Sequence, residues 1–267
     1  MHKDTAADIT HKASWGPYHI LAIDTPEIAA AATPGQFIMV RTSSLYQPLL
    51  RRPFSIHAVS GTRLEIFFQA VGIGTGLLGQ KAPGQVLDIL GPLGRGFDLD
   101  GDLKGLQAAL VGGGRGIAPL YFLALELQKR GAAVRVFYGG RSEADLALRE
   151  RFAAAGFAPD CSTEDASFGY HGLVTDLALE HTRGPYAPDR FYACGPDGLL
   201  QSVAKLAKGL DVPAELSLES IMGCGFGACW GCVHKIRKKG EEEAWRKICE
   251  EGPVFPAEEV IWEGEEL

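Results

Sequence analysis

Short apolar runs separated by glycine and proline dominate the first hundred residues. Clear examples are Phe37–Val40, Pro53–Ile56 and Leu64–Phe68. Runs of this length between turn-forming residues are typical of β-strands. Their succession predicts a small antiparallel barrel over residues 1–100.

From about residue 106 the pattern alternates between strands and helices. Strands are predicted at Leu106–Val111, Val134–Tyr138 and Phe191–Cys194, and each is followed by a helical pattern. A capping-type signal at Ser142 and Asp145 is expected to open the second helix. The apolar faces of the three helices carry Leu120, Leu123 and Leu127, then Leu146, Leu148 and Phe152, then Leu199, Val203, Leu206 and Leu210. This alternation predicts a doubly wound parallel sheet over residues 101–212.

Past Pro213 the pattern returns to short strands, at Leu216–Leu218 and Val233–Ile236. Four basic residues between 235 and 239 are followed at once by Glu241–Glu243, which is typical of a solvated hairpin tip. A small third domain is therefore expected over residues 213–267, with domain borders near 100 and 212.

Four cysteines in this last segment carry the strongest chemical signal. Cys224, Cys229 and Cys232 are spaced C-x4-C-x2-C, and Cys249 is distant, which is the plant-type pattern of a 2Fe-2S cluster. The glycines between them allow a tight loop whose backbone N–H groups point at the sulfurs. The fourth ligand is expected from a separate strand. One-electron transfer is the leading hypothesis.

Structural zinc is the alternative for four thiolates. Zinc ligands usually come as two closely spaced pairs, whereas three of these cysteines share one loop. Disulfides are less favoured, because the N-terminal sequence has no apolar signal-peptide core. The sequence also has no apolar run long enough to span a membrane. These features predict a cytoplasmic protein with reduced thiols and no membrane partner.

The net charge of −7 counts against nucleic-acid binding, and 46% hydrophobic content in 267 residues supports a folded core.

A glycine-rich turn lies between the first predicted strand and helix of the α/β region. There, backbone N–H groups and the helix dipole can receive a pyrophosphate. A second motif at the end of a later strand falls where ligands bind such sheets. The alternative is a plain tight turn. The candidate cofactor-binding residues are Gly112, Gly113, Gly114, Gly116 and Pro119 in the turn, and Cys194, Gly195 and Pro196 in the second motif.

In the barrel region, Arg51 and Arg52 precede a strand that begins Pro53-Phe54-Ser55, and a second glycine-rich turn follows at 72–76. Guanidinium and amide groups can hold phosphates while an aromatic strand accepts a flat ring. The alternative is a surface ion pair and an ordinary turn.

The order of these motifs is similar to that of the ferredoxin-NADP reductase superfamily, in which Arg52-Pro53-Phe54-Ser55 matches the flavin motif. The segments Leu218–Val233 and Cys249–Phe255 narrow the resemblance. They resemble the electron-transfer subunits of NAD-dependent, two-subunit dihydroorotate dehydrogenases. The resemblance covers essentially the whole chain.

This resemblance implies FAD in the barrel and NAD over the flavin, near Gly114 and Cys194. Two positions depart from the usual pattern: Gln69 replaces a residue that is often basic, and Arg115 stands where an aliphatic residue is common. The implied FAD-binding residues are Arg52, Pro53, Phe54, Ser55, Phe68, Gln69, Ala70, Gly74 and Thr75.

The resemblance also implies a direction for the electrons. Dihydroorotate would reduce FMN in a catalytic partner subunit, and electrons would pass through the cluster and FAD of this chain to NAD, in pyrimidine biosynthesis. A flavin is needed between the other two groups, because nicotinamide exchanges two electrons and the cluster one. No substrate acid or base is then expected in this chain.

Two other functions stay open. One is a flavin and iron–sulfur subunit of a hydrogenase, sulfide dehydrogenase or transhydrogenase-type complex, against which the sequence Cys249-x-x-Gly252-Pro253-Val254-Phe255 counts. The other is a non-catalytic zinc-binding module.

The choice between NAD and NADP is predicted from an acidic loop. A strand is expected at Phe157–Cys161, followed by Ser162, Thr163, Glu164 and Asp165. Acidic groups beside the adenosine ribose would repel a 2′-phosphate, so NAD is expected.

Overall fold

The computed structural model describes residues 1–43, 47–182, 184 and 186–262. The chain folds into two compact units. The first comprises Met1–Gly96, Ser220–Val233 and Lys247–Pro253, and the second comprises Phe97–Glu219, His234–Arg246 and Val254–Leu267. The domain borders near 100 and 212 stay a prediction, and residues 263–267 of the expected third domain lie outside the described part.

The first unit contains a closed antiparallel barrel, as predicted. Its strands are β1 (His2–Trp15), β2 (Tyr18–Asp24), β3 (Phe37–Arg41), β4 (Arg52–Ser60), β5 (Arg63–Gln69) and β6 (Val86–Leu93). The strand order around the barrel is β1-β2-β5-β4-β3-β6. The short helices α1 (Pro26–Ala31) and α2 (Ile73–Gly79) connect strands of the barrel. Alternating apolar side chains of these strands fill the barrel, among them Ile38, Ile56 and Ile66, which are fully buried.

The second unit contains a seven-stranded sheet. Its strands are β7 (Gln107–Gly113), β8 (Ala133–Gly140), β9 (Asp160–Thr163), β10 (Tyr170–His171), β11 (Arg190–Cys194), β12 (Ala214–Ser217) and β15 (Val254–Pro256). They lie in the order β10-β9-β8-β7-β11-β12-β15. All neighbouring strands are parallel except β15, which pairs antiparallel with β12. The predicted parallel α/β sheet is therefore confirmed, with one antiparallel edge strand added.

In the described part of the chain, four helices connect the strands of this sheet. They are α3 (Ala118–Lys129), α4 (Arg149–Ala154), α5 (Val174–Thr182) and α6 (Asp197–Leu210). Helix α6 buries Leu200, Val203 and Ala207, so its inner face is rotated from the predicted one, and Leu210 is exposed.

A β-hairpin and a one-turn helix precede the last strand of the sheet: β13 (Val233–Ile236), β14 (Ala244–Lys247) and α7 (Ile248–Glu251). The predicted hairpin is confirmed. Its basic residues pair with Glu243, which lies 3.6 Å from Lys235 Nζ and 3.4 Å from Arg237 Nη2. Among the described residues, no helix is both long enough and apolar enough to cross a lipid bilayer.

The prediction that a helix begins at Ser142 is wrong. Residues Glu143–Asp145 form a single 3-10 turn, and the α-helix begins only at Arg149. The Asp145 carboxylate accepts hydrogen bonds from the backbone N–H and the Nε of Arg141, at 3.2 and 3.0 Å, and its carbonyl oxygen accepts from Tyr138. These bonds hold the segment as a turn, although Leu146, Leu148 and Phe152 are buried as expected.

The strand predicted at Phe157–Cys161 lies further along the chain, at Asp160–Thr163. Phe157 N–H instead bonds to the carbonyl oxygen of Phe152 at 2.9 Å and closes the end of α4. Ser162 and Thr163 are therefore buried strand residues, and only Glu164 and Asp165 follow the strand.

Candidate functional site

The four cysteines of the predicted cluster site lie in the first unit. Cys224, Cys229 and Cys232 come from the loop that follows β12, and Cys249 lies in helix α7. The prediction that Cys249 comes from a strand is wrong by two residues, because β14 ends at Lys247. Ile248 N–H bonds to the carbonyl oxygen of Cys232 at 2.9 Å, and this turn brings Cys249 N–H to 3.5 Å from Cys232 Sγ.

The four thiols form two pairs. Cys224 is hydrogen-bonded to Cys229, and Cys232 to Cys249. In the part of the chain that the structure describes, no three His, Cys, Asp or Glu side chains converge on the position of one metal ion. Two thiol pairs suit a cluster of two irons, in which each iron takes two thiolates. The donor set therefore fits a 2Fe-2S cluster.

Backbone N–H groups point at the sulfurs. Gly227 N–H donates to Cys249 Sγ at 3.1 Å. Burial acts to raise the pKa of Cys224, but N–H groups of Phe226, Cys229 and Ala228 outweigh it and lower that pKa to about 7. Donors that stabilise a thiolate also stabilise the negative charge of a bound iron–sulfur cluster.

The cysteine loop packs on the barrel strand β3. A Cβ atom at Gly225 would lie 2.5 Å from Cγ of Met39, a fully buried residue, so only glycine fits there. Gly227 has a φ of 89°, which favours glycine, and its Cβ would meet the Glu250 carboxylate at 2.6 Å. The backbone of the loop is thus packed closely against the side chains of Met39 and Glu250.

The two arginines at the start of β4 have different roles. Arg51 is paired with Asp88, with Nη2 2.7 Å from Oδ1, and it also donates to the Asp88 carbonyl oxygen. Arg52 donates to the carbonyl oxygens of Leu50 and Arg51 at 2.7 and 3.3 Å, and no carboxylate of a described residue pairs with it. Arg52 is therefore the guanidinium with capacity for an anionic ligand.

The turn at the start of α2 lies beside Arg52. A Cβ at Gly74 would be 3.2 Å from Arg52 Nε and 3.3 Å from Thr42 Oγ1. The Thr75 hydroxyl accepts from the N–H groups of Val71 and Gly72, so it stabilises its own turn. Sequence reasoning missed Thr42, whose position beside Arg52 is visible only in the fold.

The aromatic residues of the flavin motif are packed together. The rings of Phe54 and Phe68 are 5.4 Å apart and tilted by 59°, and both side chains are buried. Pro53, Ser55 and Gln69 are half-buried along the same strands, and so is Ala70, which directly follows β5. The predicted FAD residues of β4 and β5 are thus distant in sequence but lie on paired strands.

The two predicted nicotinamide motifs are in direct contact. Strands β7 and β11 are parallel neighbours, with Gly112 opposite Cys194, so both motifs lie at the carboxyl edge of the sheet. A Cβ at Gly116 would lie 2.6 Å from Cα of Gly195 and closer still to the Cys194 carbonyl oxygen. A Cβ at Gly113 would meet Leu199 at 2.7 Å and Pro196 at 3.2 Å. The sequence predicted the turn, but it did not show that side chains at Gly113 and Gly116 would clash with the second motif and the helix that follows it.

Cys194 is buried beside Ser217 and Glu219. Burial raises the pKa of the thiol, Glu219 adds to this rise and Ser217 opposes it, so the group stays a neutral thiol. Burial also raises the pKa of Glu219, Arg115 opposes this rise and Asp197 adds to it, so three charged side chains interact at the same edge of the sheet. Sequence reasoning missed Glu219, because nothing in its local pattern links it to the glycine turn.

Charged residues also follow the ends of β8 and β9. Glu164 and Asp165 bond through their N–H groups to the carbonyl oxygens of Gly140 and Arg141, both at 3.1 Å. The Asp165 carboxylate accepts from the Ser167 hydroxyl at 2.6 Å, which lowers its pKa. The exposed guanidinium of Arg141 is paired with Asp145. The carboxylates thus outnumber the cations at this edge.

Family models match two parts of the chain. An oxidoreductase NAD-binding domain matches residues 110–205, which include both nicotinamide motifs. The iron–sulfur cluster binding domain of dihydroorotate dehydrogenase B matches residues 219–261, which include the four cysteines.

Solved structures share the fold over most of the chain. A structure of an NADH-dependent reduced ferredoxin-NADP oxidoreductase, studied for flavin-based electron bifurcation, is 27% identical and covers 97% of this chain and 91% of its own, with a TM-score of 0.82. A ferredoxin NADP⁺ reductase from Neisseria gonorrhoeae is 19% identical and covers 77% of this chain and 91% of its own, with a TM-score of 0.61. The fold and the matched domains define an NAD-binding oxidoreductase of the ferredoxin-reductase type that carries an iron–sulfur segment.

Curated relatives identify the family within this class of oxidoreductases. The dihydroorotate dehydrogenase B (NAD⁺) electron transfer subunit of Desulforamulus reducens is 40% identical over 92% of this chain and 93% of its own length. That of Geobacillus sp. (strain WCH70) is 38% identical over 98% and 99%. The chain belongs to the family of dihydroorotate dehydrogenase B (NAD⁺) electron transfer subunits.

Proposed function

We propose that this chain carries electrons between the catalytic subunit of a dihydroorotate dehydrogenase and NAD. The observation that supports this best is the pairing of four thiols, in a chain that also joins two glycine-rich motifs at the edge of a parallel sheet. Family membership indicates the reaction that the electrons serve. Bound flavin supplies the step between hydride exchange at nicotinamide and single-electron exchange at the cluster.

Four cysteines would hold the 2Fe-2S cluster as two pairs, Cys224 with Cys229 on one iron and Cys232 with Cys249 on the other. Gly227 and its neighbours would direct N–H groups at the sulfurs. We propose residues 213–267 as the cluster domain, residues 1–100 as the FAD domain and residues 101–212 as the NAD domain.

The FAD site is proposed at the start of α2 and along β4 and β5. Arg52 would bind the phosphate part, because its guanidinium has no carboxylate partner among the described residues. The turn at Gly74 and Thr75 would supply backbone N–H groups. The remaining proposed contacts are Pro53, Phe54, Ser55, Phe68, Gln69 and Ala70.

The NAD site is proposed at the contact between the two glycine-rich motifs. Gly112, Gly113, Gly114 and Gly116 would let the pyrophosphate approach the backbone, and Pro119 starts the helix behind it. Cys194, Gly195 and Pro196 would border the nicotinamide. Glu164 and Asp165 would favour a ribose 2′-hydroxyl over a 2′-phosphate.

The proposed partner is an FMN-containing catalytic subunit that oxidises dihydroorotate. We assign no substrate acid or base to this chain. We also propose that the complex acts in the cytoplasm, where thiols stay reduced.

An alternative partner is favoured by one observation. The structure of the NADH-dependent reduced ferredoxin-NADP oxidoreductase covers 97% of this chain with a TM-score of 0.82, so the same architecture occurs in an oxidoreductase that is not named for dihydroorotate. A subunit of a transhydrogenase-type complex would use the same cofactors with a different source of electrons.

Anaerobic purification with co-eluting proteins tests the proposal. We expect a brown protein with two irons, two sulfides and one FAD per chain, an EPR signal on reduction, and a co-purifying flavoprotein that oxidises dihydroorotate. Zinc in place of iron, or a partner without that activity, would contradict the proposal.

A further inference from the structure

The ammonium group of Lys247 contacts the cysteine loop. Lys247 ends β14, two residues before Cys249, and its side chain is only 18% exposed. Its Nζ donates to the carbonyl oxygen of Gly227 at 3.0 Å and lies 2.5 Å from Glu250 Oε2. It also lies 4.9 Å from the ring centroid of Trp230, within the range of a cation–π contact. We call Lys247, Gly227, Trp230 and Glu250 the lysine clamp.

The clamp is connected to ligand sulfurs through backbone groups. The carbonyl group that accepts from Lys247 belongs to the same peptide unit as the N–H of Ala228, which donates to the Cys224 thiol. The N–H of Gly227 itself donates to Cys249 Sγ at 3.1 Å. A cation at the carbonyl oxygen polarises the peptide and strengthens the hydrogen bond made by its N–H. Lys247 therefore acts on one sulfur by polarisation and on another by fixing Gly227.

One residue of the clamp has a left-handed backbone conformation, which is uncommon for residues other than glycine. Trp230 has a φ of 56°, which is uncommon for a bulky residue, and it lies between Cys229 and Cys232. Such a residue keeps this conformation only when its surroundings over-determine it. The contact of its ring with Lys247 is one such constraint, although the ring is 59% exposed.

We infer that Lys247 is a positioning residue that raises the reduction potential of the iron–sulfur cluster. This rests on the proposed function, because it requires that the four cysteines hold a 2Fe-2S cluster. Reduction adds one electron and one negative charge to the cluster without making or breaking a bond. A fixed cation and polarised N–H donors beside the sulfurs stabilise that added charge.

An EPR-monitored redox titration of the whole protein tests this, with dithionite as the reductant. Lys247→Met removes the charge at nearly constant length, and Lys247→Arg keeps it. At a poise that half-reduces the wild-type cluster, we expect Lys247→Met to have an about tenfold lower ratio of reduced to oxidised cluster, which is a shift of about 59 mV for one electron. Lys247→Arg should stay close to wild type.

The hairpin offers a matched control. Lys235 also pairs with a glutamate, Glu243, and lies 5.7 Å from a tryptophan ring, that of Trp245, but its side-chain contacts are within the hairpin. Lys235→Met should leave the potential unchanged. Glu250→Gln tests the opposite change, because it removes the negative partner and keeps the lysine. The reduction potential of the cluster should rise in this variant.

Several outcomes would overturn the inference. These are an unchanged potential in Lys247→Met with full iron content, an equal shift in Lys247→Arg, or a Glu250→Gln potential that is unchanged or lower. If Lys247→Met binds no iron, Lys247→Gln, which also removes the charge, takes its place. Absence of a 2Fe-2S signal from the wild-type protein would instead contradict the proposed function.

Discussion

Gly116 lies so close to the backbone of Cys194 that no side chain fits between them. A Cβ at Gly116 would be 2.6 Å from the Cys194 carbonyl carbon, a distance that real Cβ atoms essentially never show. The contact joins the glycine turn after β7 to the strand end of β11. Any change at Gly116 must therefore displace one proposed half of the nicotinamide site from the other.

Gly116→Ala should impair NADH use without loss of the other cofactors. We expect the kcat/KM for NADH with ferricyanide as acceptor to fall at least about tenfold, which is about 1.4 kcal/mol of transition-state stabilisation. FAD and iron content should stay at wild-type levels. Gly198→Ala is the control, because a Cβ there meets nothing within 4 Å. Wild-type kinetics in Gly116→Ala would count against this site.

Arg52→Ala should weaken FAD binding. Loss of a charge-assisted hydrogen bond costs roughly 1.5–3 kcal/mol, so the flavin should dissociate on dilution, as followed by fluorescence. Arg51→Ala is the matched control, since Arg51 is already paired with Asp88. It should lower the free energy of unfolding and leave the FAD dissociation constant close to wild type. Equal FAD affinity in Arg52→Ala and wild type would show that the flavin site is wrongly assigned.

NADH should be preferred over NADPH in steady-state kinetics. Asp145 neutralises the exposed Arg141 through a 3.0 Å ion pair, and Glu164 and Asp165 add negative charge nearby. Asp145→Asn should remove one negative charge at this edge and so raise the ratio of kcat/KM for NADPH to that for NADH. Glu143→Gln, which loses a pair with Arg149, should not change the ratio. A wild-type preference for NADPH would contradict this assignment.

Glu215 should make stability depend on pH. Burial raises its pKa to about 7, against the opposing effects of the Asp98 N–H and Arg190, while Asp98 and Glu258 add to the rise. The folded chain thus keeps a proton that the unfolded chain loses near pH 4.5. The contribution of Glu215 to the free energy of unfolding should be fully present below pH 4.5, the pKa of the unfolded chain. It should be lost as the pH rises to about 7, which lowers the free energy of unfolding by at most about 3 kcal/mol.

Urea unfolding at pH 5 and pH 8 checks this, with Glu215→Gln beside wild type. The variant should lose this part of the decline between the two pH values, because an amide does not ionise. Glu242→Gln, at an exposed position, should keep it. The same decline in Glu215→Gln and wild type would show that another group is responsible.

The motifs of this chain were predictable because each depends on residues close in sequence. The spacing of Cys224, Cys229 and Cys232 fixes a loop of one kind, and the glycine turn before α3 lies between a strand and a helix. The barrel and the parallel sheet followed from short apolar runs with different periods. These local patterns specify elements well, since they reflect backbone conformation.

Features that depend on partners far apart in sequence were not predictable. The predicted helix at Ser142 failed because Arg141 and Tyr138 hold Asp145 in a turn. Lys247 showed no local signal, because its contacts with Gly227 and Trp230 arise only when the loop is folded. The same is true of the burial of Glu215.

Reconstitution with a dihydroorotate dehydrogenase catalytic subunit tests the central claim most directly. Purified chains are mixed without oxygen at fixed dihydroorotate, and NADH formation is followed by the absorbance of the reduced nicotinamide. This chain alone should reduce ferricyanide with NADH but form no NADH from dihydroorotate. Adding the catalytic subunit should start NADH formation, and Cys232→Ser should abolish it while FAD is retained. Dihydroorotate oxidation by this chain alone, or full NADH formation with Cys232→Ser, would contradict the account.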